Sequence, residues 1–288
     1  MIDTTGTRYE LEEGGEGLWL FKGWRDFLAS AGLTEFDHFV LLSGTEVDRN
    51  RRSLVYRLRL GEEKQLFYLK LHKNYVKKSL STLFKKVVLT QIELMNMMHY
   101  ARAGLDALEP VAWGWRSGED GDISFLLIKN LDGYQSLQEF LNGPGCSSRR
   151  QRHAVARAVK SMLVKMHRYG LAHVDLFSWH VYVKKIGESD FRAHPIDLER
   201  TKVKGGWPWS QWLIRRKQAN DLAVLHLTVP WPQISSAERM RFYHAYCKSL
   251  GSNVKDRSFL KLVLTTARHR GRKRKFKPFG VAEKIGAE

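Results

Sequence analysis

The sequence predicts an α+β fold with two lobes, and three observations support this prediction. Three segments between residues 36 and 72 alternate apolar and polar side chains, which is typical of an antiparallel sheet. Segments 83–103 and 149–169 repeat apolar residues at helical spacing. Residues 207–288 are mainly helical in pattern. A strand-rich half followed by a helical half indicates an α+β architecture.

The predicted strands lie in the first half of the chain. They are FDHFVLL (36–42), LVYRLRL (54–60) and QLFYLKLH (65–72) as a meander, and VAWGW (111–115) and ISFLLI (123–128) as a further hairpin. The polar run SGTEVDRNRRS between the first two strands is predicted to be a loop. Residues 1–34 are mixed, and we expect Trp19, Phe21 and Trp24 to pack a short helix onto the main body.

Two amphipathic helices are the clearest elements. The first, within 83–103, places Val88, Ile92, Met95 and Met98 on one stripe and ends at Gly104; the second, within 149–169, uses Val155, Val159, Met162 and Met166 and ends at Gly170. The first helix belongs to an N-lobe, residues 1–129, which has an antiparallel sheet, this one helix and an N-terminal extension. The second belongs to a mainly helical C-lobe, residues 130–288, and a polar connector near 129–134 joins the lobes.

Composition excludes several classes of protein. The chain has 288 residues and is 43% hydrophobic and 27% charged, as in ordinary globular proteins. No apolar run approaches the roughly 20 residues that cross a bilayer, and the N-terminal stretch lacks the features of a signal peptide. Cys146 and Cys247 are too few for a disulfide framework and lack metal-ligand spacing. We therefore expect a cytoplasmic protein with reduced thiols.

The formal net charge of +18 favours anionic partners such as nucleic acid, acidic lipid or phosphorylated substrates. Part of it lies in RHRGRKRKFK (268–277), where seven residues are Arg or Lys. This tail is either solvated or forms an electrostatic contact with an anionic membrane surface.

Four charged residues follow one another in an order that carries chemistry. Lys70 lies on a predicted strand, Glu93 on the helix after it, Asp175 in LAHVDLFSWHVYV (171–183) and Asp197 in PIDLE. A buried carboxylate such as Asp175 needs hydrogen bonds or a partner. The set resembles that of protein kinases, in which a lysine anchors nucleotide phosphates, a glutamate fixes the lysine, one aspartate acts as base and another holds Mg²⁺.

A closer resemblance lies in RRSLVYRLRLGEEKQLFYLKLHKN (51–74), AHVDLFSWHVYV (172–183) and PIDLERTKV (195–203). These segments resemble the lipopolysaccharide core kinases, the Kdo/WaaP family with its InaA-like relatives. The resemblance implies a protein-kinase-like two-lobe fold and the use of ATP and Mg²⁺.

The same resemblance implies roles for individual residues. His180 stands five residues after Asp175, where this family has histidine, and with Asp197 it would contact nucleotide or metal. Asp221, in ANDLAVLHL, would brace the catalytic loop from a helix. Lys70 and Glu93 would anchor the phosphates, and Asp175 would be the base. Val174 departs from the kinase pattern, which has arginine before the aspartate.

The loop before the first kinase strand has a single glycine where protein kinases have several. Ser43, Gly44 and Thr45 either approach the nucleotide or form a plain turn. Trp207, Trp209 and Trp212 either form an acceptor-side or membrane-facing edge or pack in the ordinary way.

The function implied by the resemblance is ATP-dependent phosphorylation of a heptose or Kdo hydroxyl in the lipopolysaccharide inner core, at the inner face of the cytoplasmic membrane. Three alternatives stay open. One is a small-molecule phosphotransferase, which the positive charge disfavours because such acceptors are usually cationic. Another is a pseudokinase scaffold. The third is a basic nucleic-acid-binding protein, but no binding motif of that kind is present, so we expect no nucleic-acid partner.

Overall fold

The computed structural model describes residues 2–74, 76–77, 87–105, 108–119, 121–146, 148–230, 233–251 and 257–272. The chain divides into two compact units, Met1–Asp132 and Gly133–Glu288.

Unit 1 is built on a seven-stranded antiparallel sheet. Its strands are β1 (Leu11–Gly15), β2 (Leu18–Phe21), β3 (Thr45–Arg49), β4 (Ser53–Leu60), β5 (Gln65–Lys73), β8 (Glu109–Gly118) and β9 (Gly121–Lys129), in the order β1-β2-β8-β9-β5-β4-β3. Two short strands, β6 (Val76–Lys77) and β7 (Val87–Val88), pair separately. The predicted strands β4, β5, β8 and β9 are confirmed. Their inward residues, such as Phe67, Leu69 and Phe125, are fully buried in one core.

Helices α1 (Arg25–Ser30) and α2 (Phe36–Val40) also contribute to this core. The strand predicted at 36–42 was wrong, because this segment forms α2. The backbone N–H of Glu35 donates to His38 Nδ1 at 3.2 Å, which fixes the first turn. Phe36 and Phe39, one helical turn apart, both pack on Phe125, with ring centroids 5.5 and 4.7 Å away. Aromatic packing at a spacing of three residues therefore overrides the strand-like composition.

One further expectation for unit 1 was confirmed in part, and another was wrong. Trp24 packs the short helix α1 onto the sheet, with its ring centroid 5.4 Å from that of Phe27 on α1 and 5.7 Å from that of Phe67 on β5. Trp19 and Phe21, however, lie on strand β2 of a hairpin that pairs with β8. The loop expected at 43–53 contains strand β3. Every residue of β3 is exposed, so it lacks the alternation that reveals a half-buried strand.

Helix α3 (Leu89–Arg102) confirms the first predicted helix, and Gly104 follows its end with a φ of 70°. Its buried stripe differs from the predicted one. Met95 is exposed, whereas Leu94, Met97 and Met98 are buried. Residues 83–86 of the predicted helix lie outside the described residues.

Unit 2 is mainly helical. Its helices are α4 (Leu137–Asn142), α5 (Arg149–Arg168), α6 (Ser210–Thr228), α7 (Ser236–Ser249) and α8 (Arg257–Gly271). The strands β10 (Gln135–Ser136), β12 (Val181–Lys185) and β13 (Phe191–Pro195) form one sheet, and β11 (Leu171–Ala172) pairs with β14 (Lys202–Val203). Helix α5 confirms the second predicted helix, with all four predicted stripe residues buried and Gly170 at a φ of 80° after its end.

None of the helices in the described part of the chain is long and apolar enough to cross a membrane. Of the basic tail predicted at 268–277, Arg268–Gly271 belong to α8, and residues 273–277 lie outside the described residues.

Candidate active site

Unit 1 brings two of the predicted residues together. Lys70 on β5 and Glu93 on α3 form an ion pair in which Nζ lies 2.7 Å from Oε1. Their side chains are only 17% and 1% exposed. The second oxygen of Glu93, Oε2, is buried and has no hydrogen-bond partner among the described residues. Because a buried ion pair contributes little net stability, this pair is better explained by function than by folding.

Ser43, Gly44 and Thr45 lie at the start of β3 and line a cavity of about 390 Å³ together with residues of β4. A Cβ on Gly44 would meet the carbonyl oxygen of Arg57 at 2.5 Å, so packing against β4 by itself requires glycine here. Thr45 stands level with Arg57 and Tyr68 across the sheet, two residues away from the row that contains Lys70. The structure does not place Lys70 among the residues that line this cavity.

The turn between β3 and β4 begins as close to Lys70 in register as Thr45 does, because Asn50 stands opposite Ser53, two residues from Val55. Lys70 pairs with Val55, which pairs with Asp48, and the turn Asn50–Arg52 follows directly. In this turn the backbone N–H of Arg52 donates to Asn50 Oδ1 at 2.9 Å. Sequence reasoning missed the turn because it missed β3. Its signal is the basic run RNRR at residues 49–52.

Unit 2 holds Asp175 in a loop between β11 and a short 3₁₀ turn, Ser178–His180. The Asp175 side chain is 11% exposed, and its Oδ2 accepts a hydrogen bond from Arg200 Nη1 at 2.5 Å. Arg200 is the last residue of a second 3₁₀ turn, Leu198–Arg200, and is half-exposed. The sequence contained Arg200 within the quoted PIDLERTKV segment, but no periodicity linked it to a carboxylate 25 residues earlier.

His180 is oriented by the backbone of Asp175. Its Nδ1 lies 2.9 Å from the Asp175 carbonyl oxygen, which can only accept, so Nδ1 carries the hydrogen. Burial lowers the pKa of His180, although the nearby Asp197 carboxylate partly opposes this effect. The ring is therefore neutral near pH 7, and the Nε2 lone pair faces Asp197 Oδ2 at 3.8 Å.

The His180 Nε2 lone pair and the Asp197 carboxylate are two neighbouring acceptors, and this arrangement fits a bound cation. A lone pair and a carboxylate oxygen repel each other unless a positive charge or a hydrogen-bond donor lies between them. Across the described residues no three His, Cys, Asp or Glu side chains are grouped as metal ligands. Mg²⁺, however, is usually held by one or two carboxylates, with water and phosphate oxygens completing its coordination. Asp197 meets that requirement, whereas imidazole is more typical of softer metals.

The Asp175 loop is braced by helix α6, as the resemblance implied for Asp221. The fully buried Asp221 accepts hydrogen bonds from the backbone N–H of His173 at 2.8 Å and of Val174 at 2.7 Å. Asn220 Nδ2 donates to the Val174 carbonyl oxygen at 2.6 Å. Val174 has a φ of 73°, a left-handed conformation that is strained for a β-branched residue. These side chains hold the backbone in a shape that it would not adopt alone.

Further contacts support the brace. His167 Nε2 lies 3.2 Å from Asp221 Oδ2, and the Tyr246 hydroxyl lies 2.6 Å from His167 Nδ1. Burial raises the pKa of Tyr246, so the hydroxyl stays protonated and donates a hydrogen bond to His167 Nδ1. His173 Nε2 donates to the Ile196 carbonyl oxygen at 2.8 Å. The last bond joins the Asp175 loop to the Asp197 segment, and sequence reasoning had not found the His167–Tyr246 pair.

Comparisons with known proteins agree with this geometry. A model of the lipopolysaccharide kinase (Kdo/WaaP) family matches residues 42–246. The chain is 25% identical over 190 residues to the lipopolysaccharide core heptose(I) kinase WaaP of Pseudomonas aeruginosa, covering 62% of this chain and 69% of that protein. Among solved structures, WaaP in complex with acyl carrier protein has a TM-score of 0.67 at 21% identity, covering 93% of this chain and 98% of that chain.

The structural likeness confirms the predicted α+β kinase fold. The family match spans well over half of the chain and confirms the resemblance drawn from the sequence. The chain therefore belongs to the lipopolysaccharide kinase (Kdo/WaaP) family and is a phosphotransferase that acts on a sugar hydroxyl.

Proposed function

We propose that this protein transfers the γ-phosphate of ATP, with Mg²⁺, to a heptose or Kdo hydroxyl of the lipopolysaccharide inner core. The observation that carries the proposal is Asp175, a nearly buried carboxylate in a loop that α6 braces on both sides of Val174. We also propose that the predicted lobes, residues 1–129 and 130–288, divide the work into nucleotide binding and acceptor chemistry.

In unit 1, Lys70 binds phosphate oxygens as a point charge, and Glu93 fixes the direction of its ammonium group. The turn Asn50–Arg52 adds two arginines, and it begins two residues along the sheet from the row that contains Lys70. Ser43, Gly44 and Thr45 remain candidates for a nucleotide contact through the cavity that they line.

In unit 2, Asp175 accepts the proton of the attacked sugar hydroxyl, a role that contributes about 10²–10⁴-fold in rate. Arg200 acts as a positioning residue, because its hydrogen bond to Oδ2 fixes the carboxylate. Asp197 would hold Mg²⁺, with the Nε2 lone pair of His180 facing the same position. The bound metal would neutralise charge on the phosphate oxygens.

Heptose is the first acceptor to test, because the Pseudomonas aeruginosa relative is a heptose(I) kinase. The net charge of +18 supports an acceptor that carries carboxylates and phosphates and lies in an anionic membrane. We accordingly propose peripheral association with the inner face of the cytoplasmic membrane. An acyl carrier protein is a protein partner to test, since WaaP was solved in complex with one.

The test is phosphate transfer from ATP labelled at the γ-position to two lipopolysaccharide cores, both unphosphorylated and one lacking heptose. Phosphate on the heptose-containing core alone identifies heptose, and phosphate on both identifies Kdo. Product mapping by mass spectrometry gives the hydroxyl. The matched control for a substitution at Asp175 is Asp190→Asn. Asp190 is an exposed aspartate in the turn between β12 and β13, and this variant is expected to transfer phosphate as the natural chain does. Transfer to an aminoglycoside but to neither core would contradict the proposal.

A further inference from the structure

An exposed apolar and basic surface lies at the start of α6. It consists of Lys202–Lys204, Trp207, Trp209, Trp212, Leu213 and Arg215–Lys217, and we call it the tryptophan surface. The three tryptophans are 68%, 60% and 58% exposed. Trp207 and Trp209 stack on each other with centroids 5.7 Å apart, and Arg216 lies over Trp212 at 4.7 Å.

Packing within unit 2 does not explain these tryptophans. On the first turns of α6 the buried positions are Ser210, Ile214 and Gln218, whereas Trp212 and Leu213 point away from them. Large apolar side chains grouped at such exposure mark an interaction surface more often than an ordinary face. The sequence had left packing open as an alternative, and the burial pattern removes it for these three residues.

The charge of the surface is one-sided. Lys202, Lys204 and the run Arg215–Lys217 are all exposed, and no Asp or Glu occurs from residue 201 to residue 220. The next carboxylate, Asp221, is fully buried in the brace. Grouped indoles flanked by exposed Lys and Arg are the combination found where proteins enter the interface of an anionic membrane.

We propose that the tryptophan surface seats in the headgroup layer of an anionic phospholipid bilayer, with the indoles at the interface and the five basic residues against lipid phosphates. Membrane binding by this surface stands independently of catalysis. Its role in reaching a lipid-embedded acceptor rests on the proposed function.

The surface is joined to the Asp175 loop by a short ladder. Strand β14 pairs Val203 with Leu171 and Lys202 with Ala172, immediately before His173. The backbone N–H of Lys204 also donates to the Gly170 carbonyl oxygen at 2.8 Å. Along α6, Ser210 and the brace residue Asp221 are separated by about 16 Å, given a rise of about 1.5 Å per residue. An acceptor sugar close to the bilayer surface is therefore within reach of the loop that Asp221 holds.

The first measurement is co-sedimentation of the full chain with vesicles of phosphatidylcholine alone and of phosphatidylcholine with phosphatidylglycerol. We expect binding to the anionic vesicles, with quenching of tryptophan emission by lipids brominated near the headgroups. Trp207→Ala/Trp209→Ala/Trp212→Ala is expected to weaken binding at least about tenfold. Lys202→Gln/Lys217→Gln is expected to weaken it about fivefold per residue removed.

The matched control is Leu41→Ala/Ile186→Ala/Met240→Ala, which removes three exposed apolar side chains outside the surface. It is expected to bind within about twofold of the natural chain, since these residues are scattered. A triple Trp→Phe variant at the same three positions keeps apolar rings. Comparing it with the triple alanine variant separates loss of interface contact from loss of folding. Unchanged vesicle binding by the triple alanine variant, or binding by the natural chain without brominated-lipid quenching, would overturn the proposal.

Three further outcomes bear on the occupant of the surface and on its role in phosphate transfer. If the chain ignores vesicles but binds acyl carrier protein through the same tryptophans, the surface belongs to a protein partner and the membrane proposal is wrong. If the triple variant loses phosphate transfer to core in vesicles but keeps transfer to deacylated core oligosaccharide, the proposal holds together with the proposed function. If the chain binds vesicles through these residues but transfers no phosphate, the membrane proposal holds and only the proposed function is wrong.

Discussion

The two groups of site residues are built in different ways. In unit 1, Lys70 and Glu93 lie on a regular strand and a regular helix and meet directly at 2.7 Å. In unit 2, Asp175, His180 and Asp197 lie in a loop, a 3₁₀ turn and a left-handed position with a φ of 60°. Regular backbone places the first group, whereas hydrogen bonds made by side chains such as Asp221, Arg200 and His180 place the second.

This difference indicates where each group is vulnerable. The Lys70–Glu93 pair depends on its own two side chains, because each lies on an element with regular backbone hydrogen bonds. The Asp175 loop depends on Asp221, Asn220 and His173, none of which we assign to substrate. Substitutions away from the reacting atoms should therefore damage unit 2 far more than unit 1.

Asp221→Ala tests the brace. The change leaves the buried N–H groups of His173 and Val174 without an acceptor, so the free energy of unfolding should fall by about 3–5 kcal/mol. Transfer activity should fall with it. Urea denaturation measures the stability change, with Asp190→Ala expected within about 0.5 kcal/mol of the natural chain. A loss below about 1 kcal/mol for Asp221→Ala would show that the loop holds its shape without the brace.

The Lys70–Glu93 pair should respond asymmetrically. Lys70→Met leaves the almost fully buried Glu93 carboxylate without its cation and should destabilise by about 3 kcal/mol. Glu93→Gln should cost only about 1 kcal/mol, because Lys70 is partly exposed and reaches water. The double variant Lys70→Met/Glu93→Leu should recover most of the stability and no activity. Lys73→Met, exposed on the same strand, is the control; equal losses for the two single variants would refute this account.

Arg200 should affect rate without affecting stability. Because Arg200 is half-exposed, Arg200→Gln should change the free energy of unfolding by less than about 1 kcal/mol. The kcat for transfer should fall about tenfold to a hundredfold as Asp175 loses its fixed orientation, with KM for ATP unchanged. Arg192→Gln on β13 is the matched control. A normal kcat in Arg200→Gln would remove Arg200 from the site.

Val174 offers the finest comparison between strained and regular backbone. Val181→Gly, at a fully buried regular position, should cost about 3 kcal/mol through lost packing and added chain entropy. Val174→Gly should cost about 1–2 kcal/mol less, because glycine relieves the left-handed strain at a φ of 73°. Urea denaturation measures the free energy of unfolding of both variants. Equal losses for Val174→Gly and Val181→Gly would show that Val174 is unstrained.

The sequence predicted the parts of the protein that repeat regularly. Alternation revealed β4 and β5, and helical spacing revealed α3 and α5, so Lys70 and Glu93 could be placed on neighbouring elements. Strand β3 escaped because all of its residues are exposed, and with it the turn Asn50–Arg52. The helix at Phe36 escaped because tertiary packing of aromatic rings decided its conformation.

The unit 2 group was only partly accessible from sequence. The order of Asp175 and Asp197 after Lys70 and Glu93 pointed to chemistry, and the resemblance supplied the roles of His180 and Asp221. The Arg200–Asp175 contact and the His167–Tyr246 support join residues 25 and 79 positions apart. No local propensity encodes such contacts, since they form only when irregular segments are already held in place.

The assignment of Asp175 as the catalytic base is tested most directly by measuring phosphate transfer and ATP binding separately. Labelled γ-phosphate transfer to unphosphorylated lipopolysaccharide core is compared between the natural chain and Asp175→Asn, together with the ATP dissociation constant of each. We predict that transfer falls by about 10²–10⁴-fold while ATP affinity changes by less than about threefold. Transfer that persists in Asp175→Asn at a rate close to that of the natural chain would contradict the assignment of Asp175 as the base.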